Sequence, residues 1–260
     1  MSKKTIGIYG DSYCSVMNPE YGENFWVTHL KEFYDVTNYG HPGNSIYKCY
    51  RDYMENYQKH DINVMVIPTI DRFYSSYLEN SDIAKTLSNK NWYTHYSNVL
   101  LHENTYKNKF NRPDSDFNLK IFDSVRLYFE FWKDDDYVNT VNLLLVEKIK
   151  TFKNLITIDV TSSDSDHIGL RDVSIWELNN MAGYHEQYIF KGTPPGYEDI
   201  ENKKFVKDKR ICHLTEENNM VLTTIVQDAI KNNVKEIKLK IQDFVAPTKN
   251  VNYYIGWENY

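Results

Sequence analysis

The order of apolar runs and amphipathic segments predicts strands that alternate with helices. Three short β-rich segments occur early in the chain, at Thr5–Tyr9, Asp35–Asn38 and Ile62–Ile67. Between them, apolar residues at helical spacing predict a helix over Glu23–Tyr34 and a second helix from Ser45 to about Lys59. This β-α-β-α-β order predicts a parallel, doubly wound sheet.

Later segments add a fourth strand and further helices. The pattern predicts helices over Leu119–Trp132, Asp136–Phe152 and Thr215 to about Lys231, a strand over Leu155–Val160 and a last extended segment from Val234 to Ile241. One of these helices carries a single apolar stripe, which we interpret as facing the core: Val138, Val141, Leu144, Leu145, Ile149 and Phe152. Right-handed crossovers order the first four strands 2-1-3-4.

Two stretches lack a clear period, and we interpret them as insertions. They cover about 73–118, which is polar and rich in tyrosine, and 161–207. Because strand signals lie on both sides of each insertion, we predict one α/β domain over residues 1–260 rather than two domains.

Composition and charge exclude several classes of protein. With 30 Lys+Arg against 36 Asp+Glu, the chain has a net charge of −6, which argues against a nucleic-acid partner. No apolar stretch approaches the length of a membrane span, and the N-terminus is not a signal peptide. We therefore predict no membrane partner and a cytoplasmic or virion-associated protein.

The sequence also predicts neither a cofactor nor a metal. No glycine pattern for binding phosphate is present. Asp164, Asp166 and His167 lie together after the fourth strand, but further ligands for a cation are not identifiable. The three cysteines, Cys14, Cys49 and Cys212, show neither disulfide nor metal-ligand spacing, so we interpret them as reduced thiols.

Three short motifs are expected at the carboxyl edge of the sheet, where open α/β folds place their sites. Ser12 follows the first strand in Gly10-Asp11-Ser12, and a loop containing Gly43 follows the second strand. His213 comes just before the last predicted helix.

Taken in this order, the three motifs resemble those of the SGNH (GDSL-like) hydrolase family. The resemblance implies a three-layer, flavodoxin-like parallel sheet and covers the framework but not the insertions. It implies that Ser12 is the nucleophile and that His213 is the base. It also implies that the backbone amides of Ser12 and Gly43 face the oxyanion.

The chain departs from the family pattern at two places. The third family motif, Gly-x-Asn-Asp, falls at Thr69–Arg72, where the glycine and the asparagine are absent. Asn44, Thr69 and Arg72 are alternative sources of the missing donor, because an ionised Asp71 accepts hydrogen bonds only.

The last family motif, Asp-x-x-His, is also changed. Arg210 occupies the position of the acid, and Asp208 lies two residues before it. Asp208 can complete a triad if the loop presents it to the imidazole. Otherwise a Ser-His dyad remains, or the protein keeps the fold without the chemistry.

The resemblance thus implies an ester hydrolase, with an O-acyl group on a carbohydrate as one candidate substrate. Asp71, Arg72 and Trp92 are the candidate substrate-binding residues, with Trp92 in the first insertion. The alternative is a non-catalytic SGNH-like module that binds glycan or serves as a structural part of a phage particle. Nothing in the sequence indicates the oligomeric state.

Overall fold

A computed structural model of the chain describes residues 2–15, 25–87, 93, 99–100, 103, 106–107, 117–161, 167–174 and 214–246. In these ranges the protein is an α/β fold with a five-stranded sheet whose strands are all parallel. The strands are β1 (Thr5–Tyr9), β2 (Asp35–Asn38), β3 (Ile62–Ile67), β4 (Leu155–Asp159) and β5 (Glu236–Ile237). Their order is β2-β1-β3-β4-β5. The predicted order of the first four strands is confirmed, and the predicted extended segment at the end contributes β5.

Five helices in the described ranges lie close to predicted ones, and two short helices, at Ser76–Glu79 and Asp82–Leu87, lie in the first predicted insertion, where no helix was predicted. In chain order the helices are α1 (Trp26–Leu30), α2 (Ile46–Asn56), α3 (Ser76–Glu79), α4 (Asp82–Leu87), α5 (Phe117–Leu127), α6 (Asp135–Lys150) and α7 (Glu216–Lys231). A 3-10 turn, Tyr57–Lys59, extends α2, and a π-helical turn, Tyr128–Trp132, follows α5. Ser45 and Thr215 cap α2 and α7, because their side chains accept hydrogen bonds from the Lys48 and Asn218 amides.

Alternate residues of the strands enter two separate hydrophobic clusters. Ile6, Ile8, Val64 and Val66 belong to a cluster that also contains buried residues of α1 and α7. Tyr9, Met65 and Ile67 belong to another, with buried residues of α2 and α6. Since neighbouring residues of a strand point to opposite faces, β1 and β3 are buried on both faces, whereas the edge strand β2 is mostly exposed.

The first predicted insertion contains helices of its own. Leu78 and Ile83 from α3 and α4 pack with Phe122 of α5 in a third hydrophobic cluster. Of the second insertion only residues 161 and 167–174 are described, and Ile168 forms an antiparallel bridge with Leu239. No helix in the described ranges combines the length and apolar character needed to cross a membrane.

The predicted core-facing stripe of α6 is wrong at two positions. Ile149 is fully buried, but Val141 is 44% exposed and Leu144 is 67% exposed. Asn142 is buried instead, and its Nδ2 donates to the Ile70 carbonyl at 2.5 Å. With about 100° of rotation per residue, a helix that turns Asn142 inward carries Val141 and Leu144 to its solvent side.

Candidate functional site

Loops at the carboxyl edge of the sheet are joined by buried hydrogen bonds. The carbonyl of Gly10, directly after β1, accepts from the His41 amide at 3.1 Å and from Asn44 Nδ2 at 2.9 Å. His41 and Asn44 both lie in the loop between β2 and α2. The loop that carries Ser12 is therefore fixed against the loop that carries Gly43.

Asp11 shapes the turn that contains Ser12. Its side chain is fully buried, Oδ1 accepts from the Tyr13 amide at 3.0 Å, and its backbone carbonyl accepts from the Cys14 amide at 3.0 Å. Oδ2 lies 2.9 Å from Arg72 Nη1 in an ion pair. Ser12 thus occupies a turn in which Asp11 accepts hydrogen bonds from the amides of the two residues that follow Ser12.

Arg72 connects the loop after β3 to both other loops. Besides Asp11, its Nη1 donates to the Asn44 carbonyl at 2.8 Å, and its side chain is 19% exposed. We call Gly10, Asp11, Asn44 and Arg72 the strand-end network. Arg72 was predicted from the sequence to bind substrate or supply an oxyanion donor, and the geometry directs its Nη1 to protein atoms.

Two glycines give the edge its shape. Gly10 has a φ of +153°, and a Cβ there would lie 2.5 Å from Cys14 Sγ and 3.0 Å from the Val66 carbonyl oxygen. Gly43 has a φ of +76°, a conformation that favours glycine. Within the described ranges, no hydrogen bond involves the Gly43 amide. This amide hydrogen therefore has no acceptor among the described residues.

Asn44 is less available than Gly43. Its backbone amide donates to the His41 carbonyl at 3.1 Å, and its Nδ2 donates to Gly10. The side chain is 1% exposed. Oxyanion donation from Asn44 therefore stays a prediction from the sequence.

Side chains of α6 and of the residues just before it also donate hydrogen bonds to the loop after β3. The carbonyl of Ile70 accepts from Asn142, and the carbonyl of Asp71 accepts from Lys133 Nζ at 3.1 Å. Lys133 also lies 2.6 Å from a carboxylate oxygen of Asp135. These contacts fix the backbone from which Arg72 extends.

A second set of contacts links the Ser12 turn to the start of α7. Trp26 Nε1 donates to the Tyr13 carbonyl at 2.6 Å, and the Trp26 amide donates to Asn219 Oδ1 at 3.3 Å. Asn219 Nδ2 in turn donates to the Leu214 carbonyl at 3.1 Å. We call Trp26 and Asn219 the Trp26 bridge. It connects the residue after Ser12 with the residue after His213.

The fold brings five of the candidate site residues to one edge of the sheet. These are Ser12, Gly43, Asn44, Asp71 and Arg72. His213, Asp208 and Trp92 lie outside the described residues.

Sequence reasoning missed the roles of Asp11 and Trp26. A signal for Asp11 was present in the sequence. Asp11 follows β1 and Arg72 follows the neighbouring strand β3, so both lie at the same edge of the sheet, where an acid and a base can pair. No comparable signal identifies Trp26.

Among the described residues, neither thiol nor metal chemistry receives geometric support, and Cys212 lies outside them. Cys14 and Cys49 are buried free thiols, and burial raises the pKa of Cys49 well above its ordinary value. Among the described residues, no group of three or more His, Cys, Asp or Glu side chains could hold a metal ion. Asp164 and Asp166 lie outside those residues, so the absence of a metal and of a cofactor stays a prediction.

No protein-family model, curated protein or solved structure matches this chain. The strand-end network, the Trp26 bridge and the order of the motifs along the sequence are therefore the features that bear on function.

Proposed function

We propose that the protein is a serine ester hydrolase with the three-layer, flavodoxin-like architecture of the SGNH family. The observation that carries the proposal is the position of Ser12. It lies in a turn directly after β1, at the carboxyl edge of the parallel sheet, beside the loop of Gly43. Helices α1 and α7 pack with the strand residues of one hydrophobic cluster, and α2 and α6 pack with those of the other. This division of the helices supports a three-layer arrangement.

In the proposed mechanism Ser12 Oγ attacks the ester carbonyl. His213 removes the hydroxyl proton during the attack and returns it to the leaving alkoxide, and water then hydrolyses the acyl-enzyme by the same route. The Trp26 bridge supports His213 as the base. It connects Tyr13, the residue after Ser12, through hydrogen bonds of Trp26 and Asn219 to Leu214, the residue after His213.

The amides of Ser12 and Gly43 are the proposed oxyanion donors. The Gly43 amide supports this assignment, because no hydrogen bond within the described ranges occupies it. Loss of one such donor costs about 2.7–4 kcal/mol of transition-state stabilisation. The strand-end network fixes the relative position of the two loops and so matters as much as the nucleophile itself.

The proposed substrate is an acyl ester, with an O-acylated glycan as the candidate class. Asp71 and Arg72 lie on the loop after β3, where they would meet the part of the substrate beyond the acyl group. Trp92, in the first insertion, is the proposed stacking residue for a sugar ring.

The direct test is turnover of a small activated ester together with labelling by a serine-directed phosphonate. We expect Ser12→Ala and His213→Ala each to abolish both signals, and the double variant to lose little more, because the two residues act as a unit. Ser124→Ala, which removes an exposed serine of α5, is the matched control and should keep full activity.

The third member of the triad is tested separately. Asp208→Asn should lower the rate by orders of magnitude if Asp208 orients the imidazole, because a wrong tautomer stops proton transfer. An unchanged rate would remove Asp208 from the mechanism and leave a Ser-His dyad.

A second candidate function is a non-catalytic glycan-binding or structural module, for example in a phage particle. It is favoured by the absence of the family's oxyanion asparagine and by the use of Arg72 within the strand-end network. A folded wild-type protein that neither cleaves esters nor takes the label would overturn the hydrolase proposal. Loss of glycan binding in Trp92→Ala would then support the module.

A further inference from the structure

Helix α6 carries an apolar strip on its solvent side. Tyr137, Val141 and Leu144 are 68%, 44% and 67% exposed. With Lys148 they follow each other at spacings of four, three and four residues, which is the spacing of a coiled-coil contact line. We call these four residues the α6 seam.

Two more exposed aromatic side chains precede the helix in the chain. Phe131 and Trp132, in the π-helical turn before α6, are 74% and 79% exposed. Five large apolar side chains in consecutive turns exceed the scattered exposure that is normal for a monomer surface. Such a surface marks an interface.

The two ends of α6 carry opposite charges, so the helix is complementary to an antiparallel copy of itself. Two acids, Asp134 and Asp136, lie at the start of α6, and two bases, Lys148 and Lys153, lie at its end or just after it, beside one acid, Glu147. Lys150 is not counted, because it pairs with Asp159 and Glu236 of the same chain, and neither is Asp135, which pairs with Lys133. A parallel partner helix would set like charges against each other. An antiparallel partner helix of the same sequence sets acids against bases at both ends.

We propose that the α6 seam binds the α6 seam of a second copy of this chain in an antiparallel, two-fold dimer. A two-fold axis near the middle of the helix pairs Val141 with Leu144 of the second copy and Tyr137 with Lys148 of the second copy. Both pairs then occur twice, as in any isologous interface.

The aromatic turn completes this interface. Trp132 lies before the acidic end of α6 and so meets the basic end of the second copy, near its Lys153, where a ring and an ammonium group attract each other. A 16-residue helix is about 24 Å long. In the proposed dimer, Phe131 and Trp132 would add to the area that this helix pair buries, and a stable interface buries ~1,200–2,000 Å².

The test measures the mass of the full chain in solution by light scattering and sedimentation at micromolar concentration. We expect the wild type to be a dimer and Leu144→Glu to be a monomer with an unchanged circular dichroism spectrum. Leu143→Glu is the control, because Leu143 is 46% exposed on the same helix but lies about 100° away from Leu144. It should remain a dimer. A monomeric wild type, or a dimer that Leu144→Glu leaves intact, overturns the proposal.

A cysteine cross-link tests the orientation. In the antiparallel pair, Tyr137 lies beside Lys148 of the second copy but about 16 Å from its own counterpart, from eleven residues at 1.5 Å each. The double variant Tyr137→Cys/Lys148→Cys should therefore form disulfide-linked dimers under mild oxidation. Neither single variant should do so. A cross-link in the single variant Tyr137→Cys indicates a parallel pair and overturns the proposal.

Discussion

Replacing Arg72 by methionine tests whether the strand-end network holds the edge of the sheet together. Methionine keeps much of the length of the side chain but removes the charge. Asp11, which is fully buried, then keeps the Tyr13 amide but loses its ion pair of 2.9 Å. Removing one partner of a buried pair costs about 3–5 kcal/mol. Because Arg72 is 19% exposed, water screens part of this interaction, and we expect the lower end of that range.

Urea unfolding followed by circular dichroism measures this loss. A loss of ~3 kcal/mol corresponds to a fall in the melting temperature of roughly 6–12 °C for a domain of this size. Lys231→Met is the matched control. Its ion pair with Asp228 is 3.4 Å long and more than half exposed on both sides, so its loss should cost less than ~1 kcal/mol.

A double-mutant cycle separates the ion pair from other effects of the substitution. Asp11→Asn/Arg72→Met should lose less stability than the sum of the two single variants, because the two side chains are in direct contact. If Arg72→Met costs no more than Lys231→Met, or if the two changes at Asp11 and Arg72 are additive, the argument for the network is refuted.

Three further predictions concern the turn, the last helix and pH. Gly10→Ala should destabilise the protein by about 1–3 kcal/mol in urea unfolding, because the new Cβ meets the Val66 carbonyl at a positive φ; an unchanged midpoint would contradict this. Thr215→Ala should cost about 0.5–2 kcal/mol through the lost cap to the Asn218 amide, while Thr215→Ser should not. Burial lowers the pKa of His60 below 6.5, so the fold favours the neutral ring. Unfolding free energy should therefore fall as the pH drops through 6.5, and His60→Asn should reduce that dependence when unfolding is measured at several pH values.

The sequence predicts the sheet well because its strands are short, apolar and separated by clear turn residues. Thr5–Tyr9 and Ile62–Ile67 are strands over the predicted residues, and the order 2-1-3-4 follows from the chirality of parallel connections. Ser45 and Thr215 were identified as helix starts for the same local reason: a hydroxyl before an amphipathic segment satisfies a free helix amide.

Long-range pairing could not be predicted in the same way. Periodicity predicts that α6 has an apolar side. The predicted apolar stripe is wider than the surface that the helix buries, so periodicity alone cannot identify which part of the stripe faces the sheet. The Asn142 contact to the Ile70 carbonyl, 72 residues away, decides that Val141 and Leu144 face solvent. The Asp11–Arg72 pair likewise joins residues 61 positions apart. Only the sheet order makes those residues neighbours.

The Trp26 bridge has a consequence for synthesis of the protein on the ribosome. The Trp26 amide and Asn219 are separated by 193 residues. At about 5–20 residues per second, translation needs roughly 10–40 s to make the second partner after the first. During that time the nascent N-terminal segment lacks this contact, and the buried Trp26 surface has no α7 to pack against. Completion of the Trp26 bridge is therefore a late event, and chaperones that bind exposed apolar segments have time to act on this one.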